Sequence, residues 1–135
     1  MKLIPYLYFK GNCEEALNHY KKALNGKISV SSRYNDPNMK APEDYKDKIL
    51  HAMFSFGDNT LMASDIHWAQ ELQVGDSTSL SILFDGEEEE ARRIFNELSE
   101  GGTIQMPFEK QFWGDLFGQF IDRFQVKWMI NSVKM

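Results

Sequence analysis

Two stretches of the chain repeat one pattern of apolar and polar positions. Residues 6–26 read YLYFKGNCEEALNHYKKALNG, and residues 81–101 read SILFDGEEEEARRIFNELSEG. A shift of 75 positions places Leu7 on Ile82, Phe9 on Phe84, Gly11 on Gly86, Ala16 on Ala91, Tyr20 on Phe95 and Gly26 on Gly101, without a gap. Each stretch opens with the alternation of a strand and continues with the spacing of a helix. In the first helix Ala16, Leu17, Tyr20 and Leu24 form the apolar stripe, while Glu14, Asn18, Lys21 and Lys22 face water. Ala91, Ile94, Phe95 and Leu98 form the stripe of the second. Asn12 with Glu15 resembles a capping box, and Gly26 and Gly101-Gly102 suit left-handed helix ends. The acidic run Glu87–Glu90 complements the positive end of the second helix dipole.

The opening strand is Ile4–Phe9, and after the first helix come strand candidates Lys27–Arg33, Ile49–Phe56 and Thr60–Ala63. The last two are joined by a hairpin turn at Gly57-Asp58-Asn59. After the second helix come Thr103–Met106, Phe117–Asp122 and Val126–Asn131. The order is βαβββ twice, which predicts an α+β fold in one domain over residues 1–135, with module one at about 1–65 and module two at about 77–135. Tyr34–Lys48 and Asp65–Asp76 read as long loops, a place where lids and binding segments concentrate.

Strand alternation then assigns faces. Leu7, Phe9, Ala52, Phe54, Phe56, Trp128 and Ile130 should pack under the helices. Ile4, Tyr6, Tyr8, His51, Met53, Ser55, Ser79, Ser81, Leu83, Lys127, Met129 and Asn131 should point the other way. A face of tyrosine, methionine, histidine and serine fits a semi-polar cavity, a partly buried, water-filled sheet surface or a contact between copies of the chain.

Composition narrows the partners. The ten Phe, five Tyr and three Trp are many for 135 residues, and such rings fill a core or line an apolar pocket. A net charge of −5 opposes nonspecific nucleic-acid binding, which needs clustered cations. The single cysteine, Cys13, has no disulfide partner and no evident base beside it, so a structural thiol is expected. Neither a signal-peptide pattern nor a membrane-length apolar run is present, and the cytoplasm is the simplest expectation.

Three blocks of residues resemble a known family. They are Pro5-Tyr6-Leu7-Tyr8-Phe9-x-Gly11 with Glu15-Ala16-Leu17 and Tyr20; Ile49-Leu50-His51-Ala52 with Phe56-Gly57-Asp58 and Leu61-Met62-Ala63-Ser64-Asp65; and Met106-Pro107, Gln111-Phe112-Trp113-Gly114-Asp115, Phe117-Gly118, Asp122-x-Phe124 and Trp128. In this order they resemble the PhnB-like branch of the glyoxalase/bleomycin-resistance (vicinal oxygen chelate) superfamily, often labelled 3-demethylubiquinone methyltransferase-like. The resemblance implies two βαβββ modules forming a curved mixed sheet around a cavity, in a homodimer. It also implies metal-binding positions near Ile4, Met62, Ser79 and Met129, where thioether and aliphatic groups suit no hard divalent cation. No metal and no cofactor are therefore expected. Two positions depart from the family: Met53 stands where an acid is frequent, and Asp122-Arg123-Phe124-Gln125 replaces Asp-Pro-Phe-Gly, predicting a looser hairpin.

Three functions follow as expectations. The first is a metal-free binding module that holds an amphipathic organic ligand with Tyr6, Tyr8, His51, Met53, Met62, Trp113 and Lys127, with Asp65, Asp115 or Glu109 as charge partners. The second is an enzyme of lyase, isomerase or dioxygenase type that uses either an unrecognised metal site or His51 as general base or acid, with Tyr6 or Tyr8 facing an oxyanion. The third is a structural or regulatory dimer. The methyltransferase label finds no support in a glycine-rich nucleotide-binding turn after a strand.

Overall fold

The computed structural model describes residues 1–134. The chain divides into two compact units, Met1–Gln73 and Val74–Met135. The first contains β1 (Tyr6–Phe9), α1 (Cys13–Leu24), β2 (Lys27–Arg33), β3 (Ile49–Phe56) and β4 (Asn59–Asp65). The second contains β5 (Leu80–Asp85), α2 (Glu88–Ser99), β6 (Thr103–Lys110), β7 (Leu116–Ile121) and β8 (Lys127–Val133). Each unit is therefore βαβββ, and the protein is α+β.

The sheets have the same topology. Strand order is β1-β4-β3-β2 in the first and β5-β8-β7-β6 in the second. The first strand of each runs parallel to the last, and the other pairs are antiparallel. The apolar stripes meet the sheets as their spacing requires. Ala16, Leu17 and Tyr20 are buried with Phe9, Ala52 and Phe54; Ala91, Ile94, Phe95 and Leu98 are buried, as are Phe120, Trp128 and Ile130. In α1 Ala23 is buried rather than Leu24, while Leu7 and Phe56 are only half-buried.

Several element ends differ from expectation, each for a local reason. Strand β1 begins at Tyr6 rather than Ile4, because Pro5 has no N–H to pair; its carbonyl still accepts from Met62 N at 2.9 Å. Strand β6 runs through Pro107 to Lys110, beyond Met106, which an edge strand with an irregular register allows. The segment between β2 and β3 holds two short 3₁₀ turns, Pro37–Met39 and Glu43–Tyr45.

The helix ends depart further. Asn12 occupies the N-cap position of α1 without a side-chain capping bond, so the expected capping box does not form. At the other end Asn25, not Gly26, takes the left-handed conformation at φ 53°. Gly26 is required for space: a Cβ there would sit 2.3 Å from Phe54 Cζ and 2.8 Å from the Ser55 carbonyl oxygen. After α2 the left-handed residue is Gly101 at φ 80°, and Gly102 is the crowded one, its would-be Cβ 2.2 Å from the Ile121 carbonyl oxygen. In three dimensions Asn25 matches Gly101 and Gly26 matches Gly102, one residue off the sequence alignment, because Glu100 extends the second connection.

The β7–β8 turn is not loose. Asp122 accepts from Phe124 N and Val126 N through Oδ1 and from the Trp128 indole N–H through Oδ2, at 2.8, 3.0 and 2.9 Å. Buried hydrogen bonds to the carboxylate supply the rigidity that a proline would otherwise give, and Gln125 takes the left-handed φ of 74°.

Candidate functional site

The first unit presents a row of side chains on the face away from α1. The β1–β4 register sets Tyr6 beside Met62, the β4–β3 register sets Met62 beside Met53, and the β3–β2 register sets Met53 beside Ser29. His51 lies two residues before Met53 on β3, and Tyr8 two residues after Tyr6 on β1, so both share this face. Their neighbours in sequence, Phe9, Ala52, Phe54, Leu61 and Ala63, are buried on the opposite side. Tyr6, Tyr8 and Met53 stay 37%, 57% and 38% exposed.

The row is ordered by direct contacts. The Tyr6 hydroxyl and His51 Nδ1 are 3.1 Å apart and hydrogen-bonded. The Tyr6 ring stacks on the imidazole with centroids 5.8 Å apart and lies 4.9 Å from the Tyr8 ring. The arrangement offers flat aromatic surface, a polarizable thioether pair and an imidazole whose Nε2 carries no hydrogen bond among the described residues. A wall of this kind can stack against a ring, sit over a cation or exchange a proton.

The structure thus brings five of the expected residues onto one face: Tyr6, Tyr8, His51, Met53 and Met62. Trp113 and Lys127 belong to the second unit. Trp113 lies in the short connection between β6 and β7, packed edge-on against Phe112 at 4.9 Å, and borders a cavity of about 560 Å³ with Glu88, Lys110 and Leu116. Lys127 is ion-paired with Asp76 at 2.9 Å, which lowers the Asp76 pKa.

Asp65 has a different role from the one expected. It is 1% exposed, and its Oδ1 accepts from Gly11 N and Cys13 N at 2.8 and 2.9 Å, while Oδ2 accepts from Ile49 N at 2.9 Å. The carboxylate caps α1 in place of Asn12 and ties β1, β3 and β4 together. It is occupied by the backbone and cannot serve as charge partner to a ligand. An aspartate closing the otherwise apolar end of β4 was the available signal, but its three donors are 16 to 54 residues away in sequence. Around it, Tyr34 and Tyr45 donate to the carbonyls of Asp65 and Ile66. Burial, with Asp65 next in weight, raises both phenols, that of Tyr45 to about 12. Cys13 is fully buried, and burial together with Asp65 and Glu14 pushes its thiol far above the ordinary range. It has the inert environment expected of a structural thiol.

A hard divalent cation does not fit the positions at which the superfamily would hold one. Met62 stands beside Tyr6 on β4 and Met129 beside Ser81 on β8. Thioethers and the alkyl side chain of Ile4 are poor ligands for such ions. Among the described residues no three His, Cys, Asp or Glu side chains cluster closely enough to hold a metal.

Two βαβββ units with matched topology and matched strand registers are the architecture of the glyoxalase class, in its PhnB-like branch. The chain belongs to the 3-demethylubiquinone-9 3-methyltransferase family, whose model matches residues 1–131. It is 31% identical to protein YjdN of Escherichia coli, an alignment covering 99% of this chain and 97% of that one. Protein PA1353 from Pseudomonas aeruginosa shares its fold at a TM-score of 0.85 and 42% identity, with 98% of both chains covered. A PhnB protein from Bacillus cereus, which carries the same methyltransferase name, matches at a TM-score of 0.83 and 27% identity over 98% of this chain and 100% of that one. No helix among the described residues is long and apolar enough to cross a membrane.

Proposed function

We propose that the chain is a small-molecule-binding protein that takes an amphipathic organic ligand, without a hard metal ion, on the Tyr6–Tyr8–His51–Met53–Met62 face. The observation that carries this reading is the half-exposed Tyr6 ring, fixed against His51 and Tyr8 yet open to solvent. Holding two aromatic rings in place before a ligand arrives lowers the ordering cost of binding. The turn into α1 argues against an anionic cofactor as ligand there, because the N–H groups of Gly11 and Cys13 already bind Asp65. The methyl transfer in the family's name is not assigned to this face. A homodimer forms part of the proposal.

The test is a thermal-stability screen against cationic drugs, thiols and dicarbonyl adducts, since a ligand of the native state raises the melting temperature. Stabilisation by one ligand class that disappears in Tyr6→Ala supports the reading. Equal stabilisation of wild type and Tyr6→Ala overturns it. The Tyr6–His51 hydrogen bond also favours a second reading, an enzyme in which His51 moves a proton and Tyr6 orients it. That reading requires turnover lost in His51→Ala while ligand binding persists.

A further inference from the structure

We propose that the first unit carries a binding site for a soft monovalent metal, Cu(I), formed by the thioethers of Met53 and Met62 and by Nε2 of His51. This goes beyond the organic-ligand reading and does not rest on it. Met53 and Met62 are direct partners in an antiparallel pair and share the exposed face. Such partners have Cβ atoms about 4.5–5.5 Å apart, so two flexible methionine side chains can bring both sulfurs onto one ion. His51 is the next residue along β3 on the same face, about 7 Å away along the strand, within reach of an imidazole edge. Two thioethers and an imidazole form a soft donor set that favours Cu(I) and suits Mg²⁺ or Mn²⁺ poorly.

A second, independent feature points to a ligand. A metal-bound histidine commonly donates its other ring N–H to an oxygen, which sets the tautomer and aims the ring. Tyr6 Oη lies 3.1 Å from His51 Nδ1, in position to accept from it when Nε2 binds a metal ion. Tyr6 is a positioning residue here. The second unit provides an internal contrast. In its matching row Ser81 stands beside Met129 and Met129 beside Gln119, so the thioether pair is lost, and Phe117 takes the place of His51. The site should therefore bind one equivalent per chain, not two.

The experiment is an anaerobic Cu(I) titration of the full chain against bicinchoninate, read by loss of the coloured chelator complex. One equivalent should transfer to wild type and to Cys13→Ala. The double variant Met53→Leu with Met62→Leu, nearly isosteric and expected to fold, should lose affinity by at least about tenfold, and Tyr6→Phe by about tenfold or more. In spectra of methyl-labelled methionine, Cu(I) should shift the Met53 and Met62 methyl signals. The proposal is overturned if wild type leaves the copper with the chelator, or if the double variant binds as wild type does. Loss of binding in Cys13→Ala, or methyl shifts confined to the other methionines, would also overturn it.

Discussion

The two units share a topology and a register, yet they differ wherever that register places chemistry. Across the first sheet the row reads Tyr6, Met62, Met53, Ser29; across the second it reads Ser81, Met129, Gln119, Met106. The side facing the helices stays apolar in both, because burial of that face stabilises each unit. The opposite side carries no such constraint, and only the first unit fills it with an aromatic, imidazole and thioether set. The helix entries differ too. Helix α1 is capped by a buried carboxylate from β4, whereas the residue before α2, Glu87 at φ 46°, makes no capping bond of its own, and Glu88, Glu89 and Glu90 stand in the first turn near the positive end of the dipole. A duplicated scaffold can thus hold its core constant while one copy takes on a site.

The strongest way to break this comparison is to remove the carboxylate that caps α1. Asp65→Ala leaves three backbone N–H groups without their acceptor and should cost at least about 3 kcal/mol by chemical denaturation. Charge removal in the first turn of α2, as in Glu89→Gln, should cost well under half of that, since the dipole contribution of an exposed residue is about 0.3–1 kcal/mol. Equal losses would show that the two helix entries are energetically alike.

Glycine substitutions probe what the units share. Gly26→Ala and Gly102→Ala each force a Cβ into contacts of 2.3 and 2.2 Å, and both should destabilise by about 1–3 kcal/mol. A loss at only one of them would break the structural equivalence of these positions. The smallest expected effect is a gain. The β3–β4 turn of the first unit places Gly57 at φ 54°, whereas the corresponding turn of the second places Gln125 at φ 74°. Gln125→Gly should relieve left-handed strain and raise stability by about 0.5–1 kcal/mol, visible as a higher melting temperature. No change would mean that the Asp122 hydrogen bonds already absorb that strain.

Much of the architecture was legible in the chain itself. The repeat, the helical stripes and the two-residue alternation depend only on local periodicity, and they placed Phe9, Phe54, Trp128 and Ile130 in the core and Tyr6, Tyr8, His51 and Met53 on one open face. Parity along a strand is enough for that, because side chains alternate whatever the neighbouring strands do. The tertiary structure decided the rest. Which side chain caps α1, that Tyr6 meets His51 across 45 residues of sequence, and that Gly26 rather than Asn25 must lack a side chain all follow from strand pairing. Pairing brings distant backbone together at contacts of 2–3 Å, a length at which one hydrogen bond or one missing methyl decides the residue, and no local pattern carries that information.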